Sequence, residues 1–277
     1  MLADYHVHTA YSDDSTYPME QVVQDAIARG IDELCFTDHV DYGIKYDWDE
    51  VNPMPYRGGM PLANVDYPRY VAEVARLRER YAGRIALKCG LEFGMQTHTI
   101  PRYEALFQRL NLDFVILSIH QVDDQEFWDG AFQRGRTQRE YNERYYEELL
   151  AVVRAYQHYS VLGHLDLIVR YDRCGPYPFE RVRPIVEEIL RQVIADGKGI
   201  ELNTSWHRYG LADTQPARAI LSLYRELGGR IITIGSDSHE PAHLGAHLGE
   251  AQQTLRELGY TEFCTFERME PIFHSLA

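Results

Sequence analysis

Two histidines two residues apart, His6 and His8, stand almost at the start of the chain, and Asp237 and His239 repeat that spacing near its end. Side chains two apart on a β-strand share a face, so each pair can address one point in space. Imidazole and carboxylate without thiolate form the ligand set of zinc, manganese or iron hydrolytic centres. A single H-x-H is more often structural, so the reading depends on what shares the pattern.

Five further apolar stretches end in a side chain of the same kind. ELCFTDH closes at His39, IALKCGLEF reaches Glu92, DFVILSIH closes at His120, SVLGH at His164 and GIELN at Asn203. Each alone reads as an ordinary core or loop polar group; recurrence at nearly every stretch end does not. Asp38, on the opposite face from His39, reads as a structural or supporting group rather than a ligand.

These stretches (4–8, 33–39, 85–93, 113–120, 160–164, 199–203 and 231–237) are short and rich in β-formers. Between them, segments 19–29, 66–82, 136–157, 180–196 and 215–227 carry apolar stripes at helical spacing, as in Met19, Val22, Val23, Ala26 and Ile27. The alternation predicts a parallel sheet, closed at this length into one α/β barrel spanning residues 1–277, with a doubly wound open sheet as the alternative. In such a barrel all the strand C-termini meet at one mouth. Residues 40–65, with Pro53, Pro55, Gly58, Gly59 and Pro61, read as a long loop: a lid, a binding element or a tolerated insertion.

The net charge of −14, from 28 basic and 42 acidic residues, disfavours nucleic acid or an anionic membrane as partner. No apolar run is long enough to span a bilayer, and the first expected strand leaves no space for a signal peptide, so a cytoplasmic protein is expected. Cys35, Cys89, Cys174 and Cys264 form no C-x-x-C pair, which argues against a thiolate metal site or a disulfide framework.

The set H-x-H, T-D-H at 37–39, His120 and D-x-H at 237–239 resembles the four signatures of the PHP (polymerase and histidinol phosphatase) superfamily. HTAYSDDS, SIHQVD, GHLDLIVRYD, ELNTS and ITIGSDSH look like its monofunctional histidinol-phosphatase branch. The resemblance implies a distorted (β/α)7 barrel with its metal site at the C-terminal strand ends, holding three divalent ions (zinc, manganese or iron). It gives the first ion to His6, His8, Glu92 and Asp237, the second to Glu92, His120 and His164, and the third to Asp14, His39 and His239, with Asp13 as an alternative to Asp14.

Three divalent ions, three carboxylates and a hydroxide would leave roughly +2 at the mouth, suited to a phosphate monoester dianion. The implied reaction is hydrolysis of L-histidinol phosphate by hydroxide attack in line with the leaving alkoxide. Glu92, Asp237 and Arg170 are the expected catalytic groups, and Arg170, His207 and Arg208 the expected substrate contacts, by bidentate bonding to phosphate or protonation of the leaving group. A surface ion pair is the plain alternative for Arg170. The basic run Arg134, Arg136, Arg139 reads as a solvated face, and Gln121 and the 40–65 loop as candidates for gripping the imidazole. Another phosphate ester (nucleotide, phosphotyrosine or sugar phosphate) or a non-catalytic metal-binding module are the competing functions. The oligomeric state is open.

Overall fold

A computed structural model describes residues 1–276. The strands, in chain order, begin with β1 (Ala3–Val7), β2 (Glu33–Phe36) and β3 (His39–Val40), then β4 (Tyr56–Arg57) and β5 (Met60–Pro61). They continue with β6 (Ala86–Gly94), β7 (Phe114–Ser118), β8 (Gln121–Val122), β9 (Gln125–Glu126), β10 (Val161–Leu162), β11 (Gly199–Asn203) and β12 (Ile232–Gly235), and end with β13 (Glu262–Glu267) and β14 (Glu270–Ser275). The helices are α1 (Met19–Ala28), α2 (Tyr67–Arg80), α3 (Ile100–Phe107), α4 (Gln138–Ala155), α5 (Phe179–Ala195), α6 (Arg218–Glu226) and α7 (Leu248–Glu257).

The principal sheet is parallel, in the order β1-β2-β6-β7-β10-β11-β12, with β3 paired to β6. Its ends meet: the backbone N–H of His8 donates to Ser238 O at 2.8 Å and that of Ser238 to His6 O at 3.3 Å. This closes a distorted seven-stranded barrel rather than an open sheet. Such strands are covered on both faces, so they read as continuous apolar runs: all of Phe-Val-Ile-Leu-Ser in β7 is buried. The helices cover the outside through one stripe each, as α6 does with Ile220, Leu221, Leu223 and Tyr224. Thr137 and Glu140 cap the start of α4 reciprocally.

Two corrections concern the ends of elements. The stretch 33–39 is two short strands, interrupted where Asp38 turns inward to accept from Thr9 N (2.7 Å), Thr9 Oγ1 and Ser12 Oγ, a structural role. Segment 40–65 is not wholly irregular, since it contains the antiparallel β4–β5 hairpin. The helices α3 and α7 and the antiparallel β13–β14 hairpin add to the expected elements. No helix among the described residues is long and apolar enough to cross a membrane.

Candidate metal centre

Parallel register puts the ligand-type residues at one level. His39 pairs with Glu92 across β3 and β6, and Asn203 with Gly235 across β11 and β12. His6 lies on β1, His8 just beyond it, and His120, His164 and Asp237 each two residues past the ends of β7, β10 and β12. Two glycines make room. A Cβ on Gly235 would fall 2.3 Å from Cβ of His6, and one on Gly94 would fall 1.7 Å from Oδ1 of Asp41 and 2.6 Å from Nδ1 of His120. Asp237 itself holds a left-handed φ of 55°, a strained conformation for a non-glycine residue, of the sort that persists where the surroundings over-determine it.

Glu92, fully buried, is the centre of the cluster. Its Oε2 lies 3.1 Å from His6 Nε2, 3.4 Å from His8 Nε2 and 3.1 Å from His39 Nδ1. Its Oε1 lies 3.1 Å from His120 Nε2 and 2.9 Å from His164 Nε2. Asp237 Oδ1 stands 3.7 Å from His6 Nε2 and 3.6 Å from His8 Nε2, completing a four-donor set on one side. On the outer side, Asp14 Oδ2 lies 3.4 Å from His39 Nε2 and 3.1 Å from His239 Nε2. All nine expected ligands therefore gather in one place. Asp14 faces the histidines, whereas Asp13 is engaged by Lys45 instead.

Whether these donors suit a cation is answered by what they lack. His6 Nε2, His8 Nε2 and Glu92 Oε2 are buried without a hydrogen-bond partner. Buried polar atoms left unpaired are costly and uncommon, and three aimed at one spot are accounted for by a cation there. The donors are all nitrogen and oxygen, as zinc, manganese and iron accept.

The rings are held from behind. Glu201 Oε1 is 2.6 Å from His6 Nδ1, Asp41 Oδ1 is 2.7 Å from His120 Nδ1, Ser12 Oγ is 3.3 Å from His8 Nδ1, and His239 Nδ1 sits 2.9 Å from Asp237 O. An Nδ1–H committed in this way leaves the Nε2 lone pair for a metal. Ser118 Oγ donates to Glu92 Oε1 at 2.6 Å. Burial alone would raise the Glu92 carboxyl, but His6, His120 and His39 outweigh it and hold its pKa well below the usual range. Burial, together with His239, His39 and His6 nearby, pushes His8 well below the ordinary imidazole value. None of Glu201, Asp41 or Ser12 was singled out from sequence as a site residue. ELNTS holds Glu201, but its place beside His6 depends on the barrel closing.

The cluster forms the floor of a cavity of about 450 Å³ whose walls include Lys45, Arg57, Gln121, Glu126, Trp128, Arg170, Tyr171 and Tyr209. Arg170 is buried, not on the surface. It donates to Asp237 Oδ2 (2.9 Å), Ser205 Oγ (2.6 Å) and Gln215 Oε1 (2.7 Å), and its guanidinium lies over Tyr209. The two neighbours expected to share its substrate role are placed differently from each other. Arg208 donates to the backbone of Ser236 (2.8 Å) and Asp237 (2.6 Å), lies 3.3 Å from Asp237 Oδ2, and lines a depression that shares Asp14, Tyr209 and His239 with the cavity. His207 stacks on His247 at 3.6 Å and meets Glu250 at 3.2 Å, away from the cavity wall. Chain proximity to β11 misled there, because the short turn Thr204–Trp206 swings His207 outward. Gln121 Nε2 donates to Gly94 O at 2.7 Å, and Arg139 pairs with Glu143 on a solvated face.

The PHP domain model matches residues 4–205. The chain belongs to the PHP family. Its PHP relatives include the histidinol-phosphatase of Lactococcus lactis, 32% identical over 96% of this chain and 95% of the relative. A probable histidinol-phosphatase of Deinococcus radiodurans is 27% identical over 93% and 94%. In three dimensions the chain resembles the Lactococcus lactis histidinol phosphate phosphatase, with a TM-score of 0.84 and 30% identity over 98% of both chains. That crystal structure contains zinc, L-histidinol and phosphate.

Proposed function

We propose that the protein is a metal-dependent phosphatase that hydrolyses L-histidinol phosphate to L-histidinol and inorganic phosphate. The observation that carries this reading is the presence, in one cavity, of a buried nitrogen–oxygen donor cluster and the buried guanidinium of Arg170. The near full-length likeness to the Lactococcus lactis enzyme supports the particular ester. Residues beyond the family match complete the same barrel, since β12 carries Asp237 and His239 to the mouth.

The ligand sets follow the distances. His6, His8, Glu92 Oε2 and Asp237 would hold one ion, Glu92 Oε1, His120 and His164 a second, and Asp14, His39 and His239 a third. Divalent ions there supply Lewis acidity at the phosphoryl oxygens and lower the pKa of water at the cluster. The chain's own residues do the rest. Glu92 would hold the first two ions together, with one oxygen turned to each set of imidazoles. Asp237, whose carboxyl His6, Arg170 and Arg208 hold ionised against the opposing effect of burial, ties Arg170 to the metal cluster. Arg170 is thus positioned to bind phosphate oxygens where they meet the cluster. Glu126 and Asp41 also line the cavity, each already paired, Glu126 with Arg57 and Asp41 with Lys45 and His120.

Turnover on a panel of phosphate monoesters tests the proposal. A pocket that bonds polar substrate groups rejects analogues lacking them by about 10⁴-fold, so kcat/KM for histidinol phosphate should exceed that for p-nitrophenyl phosphate by roughly that factor. Comparable efficiency on the two would reject the histidinol assignment and leave a general phosphoesterase. The reading places a small-molecule enzyme in the cytoplasm, which separation of cell extracts into soluble and membrane fractions would check.

A further inference from the structure

Lys45 sits on the turn after β3, and its ammonium is buried, with the side chain 6% exposed. It engages two carboxylates at once, Asp13 and Asp41, the latter at 2.7 Å. Those two carboxylates lead to different parts of the metal cluster. Asp41 uses its other oxygen to hold Nδ1 of His120 at 2.7 Å, and its backbone N–H is fixed by Asn64 Oδ1 at 2.8 Å. Asp13 precedes Asp14, whose carboxylate faces His39 and His239.

Asp14 differs from the other ligand candidates in one respect: its side chain is 49% exposed, whereas those of Glu92, Asp237 and His6 are at most 5% exposed. It lies on the loop between β1 and α1, with no barrel strand beneath it. Ser12 holds that loop on one side, accepting from His39 N at 3.1 Å and donating to Asp38 at 2.7 Å. On the other, Ser15 donates to His239 O at 2.8 Å. Between these anchors Asp13 has a single buried partner, Lys45. Taking a charged ammonium out of water is costly, and Asp13 and Asp41 are the carboxylates that compensate it here. Breaking such an arrangement from either end leaves a buried charge uncompensated, so the loop has a strong preference for this one geometry.

We propose that Lys45 is a positioning residue that ties the third cation site to the second, by clamping the Asp13–Asp14 loop to the Asp41–His120 pair. The inference rests on the three-site reading above. Loss of the clamp should weaken the Asp14, His39, His239 site most. The second site keeps Asp41 on His120 and should change less.

The test is metal content and affinity of the full chain, loaded with zinc and dialysed against graded chelator, for wild type, Lys45→Met, Lys45→Arg and Asp13→Ala. Wild type should retain three zinc ions per chain. Lys45→Met and Asp13→Ala should retain two, releasing the third at chelator strengths about 10–100-fold lower, the usual cost of removing a group that supports a ligand from behind. Lys45→Arg should restore part of the loss. Three ions retained by both variants with wild-type affinity, whatever happens to thermal stability, would overturn the clamp and leave the pair structural. Fewer than three ions in wild type would instead overturn the three-site reading and the clamp with it. Asp13→Ala, on a loop, covers the case in which Lys45→Met does not fold.

Discussion

Glu201 Oε1 lies 2.6 Å from Nδ1 of His6, and its second oxygen accepts from the backbone N–H of His164 at 2.8 Å. One buried carboxylate thereby orients the ring of one ligand candidate and the main chain of another. Glu201→Ala should lower zinc affinity by about 10–100-fold while the protein stays folded. Chelator competition followed by circular dichroism checks both parts, and unchanged affinity would show that His6 needs no such support.

Glu92 faces separate imidazole sets with its two oxygens. Glu92→Gln hardly alters volume but removes a charge and one coordinating oxygen. Its cost should be about a thousandfold or more in kcat/KM, above the 10²–10³ typical of one lost charge-stabilising donor. Arg170→Gln should cost less. Near-normal turnover by Glu92→Gln with a full metal complement would mean that the bridging role is misassigned.

Arg57, near the turn of the β4–β5 hairpin, donates to both oxygens of Glu126 (2.6 and 3.0 Å) and lies over Trp128 at 5.3 Å. All three line the cavity, so this contact closes one wall. Arg57 is partly exposed, and Arg57→Ala should change stability by under about 1 kcal/mol. It should instead raise KM for histidinol phosphate more than for p-nitrophenyl phosphate. Equal KM values for wild type and variant on histidinol phosphate would remove the 40–65 segment from recognition.

Asp166 is fully buried, and desolvation raises its carboxyl pKa from 3.8 to about 6 against the lowering effect of Ala217 N–H and Arg170. The folded state therefore binds the proton more tightly than the unfolded chain does. Stability from this group is highest below pH 3.8 and falls as pH rises through about 6. That rise in pKa is worth about 3 kcal/mol at most. Asp166→Asn, which keeps an acceptor for Ala217 N–H, should gain more stability over wild type at pH 8 than at pH 5. Urea unfolding of the two metal-stripped proteins at both pH values measures this, and a constant difference would contradict it.

The ligand candidates were legible in the amino-acid sequence because their positions follow local rules. Period-two spacing puts His6 with His8 on one face, and a parallel barrel sends the ends of all its strands to one mouth, so His39, Glu92, His120 and His164 could be grouped without coordinates. Alternation of buried strands and striped helices likewise implied the barrel, since each strand needs cover on both faces.

Tertiary structure alone decided which charged side chains stand behind the ligands. Asp41 reaches His120 across 79 residues, Glu201 reaches His6 across 195, and Lys45 joins Asp13 to Asp41. No spacing encodes the pairs Asp41–His120, Glu201–His6 and Lys45–Asp13, because they depend on how loops from different strands cross the mouth. The same reason explains His207 and Arg208, adjacent in the chain yet turned apart, His207 to Glu250 and Arg208 to Ser236 and Asp237 beside the cluster. Strand periodicity says which way a side chain points only while the strand lasts, and beyond β11 the chain's direction is set by packing against α7 and the end of β12.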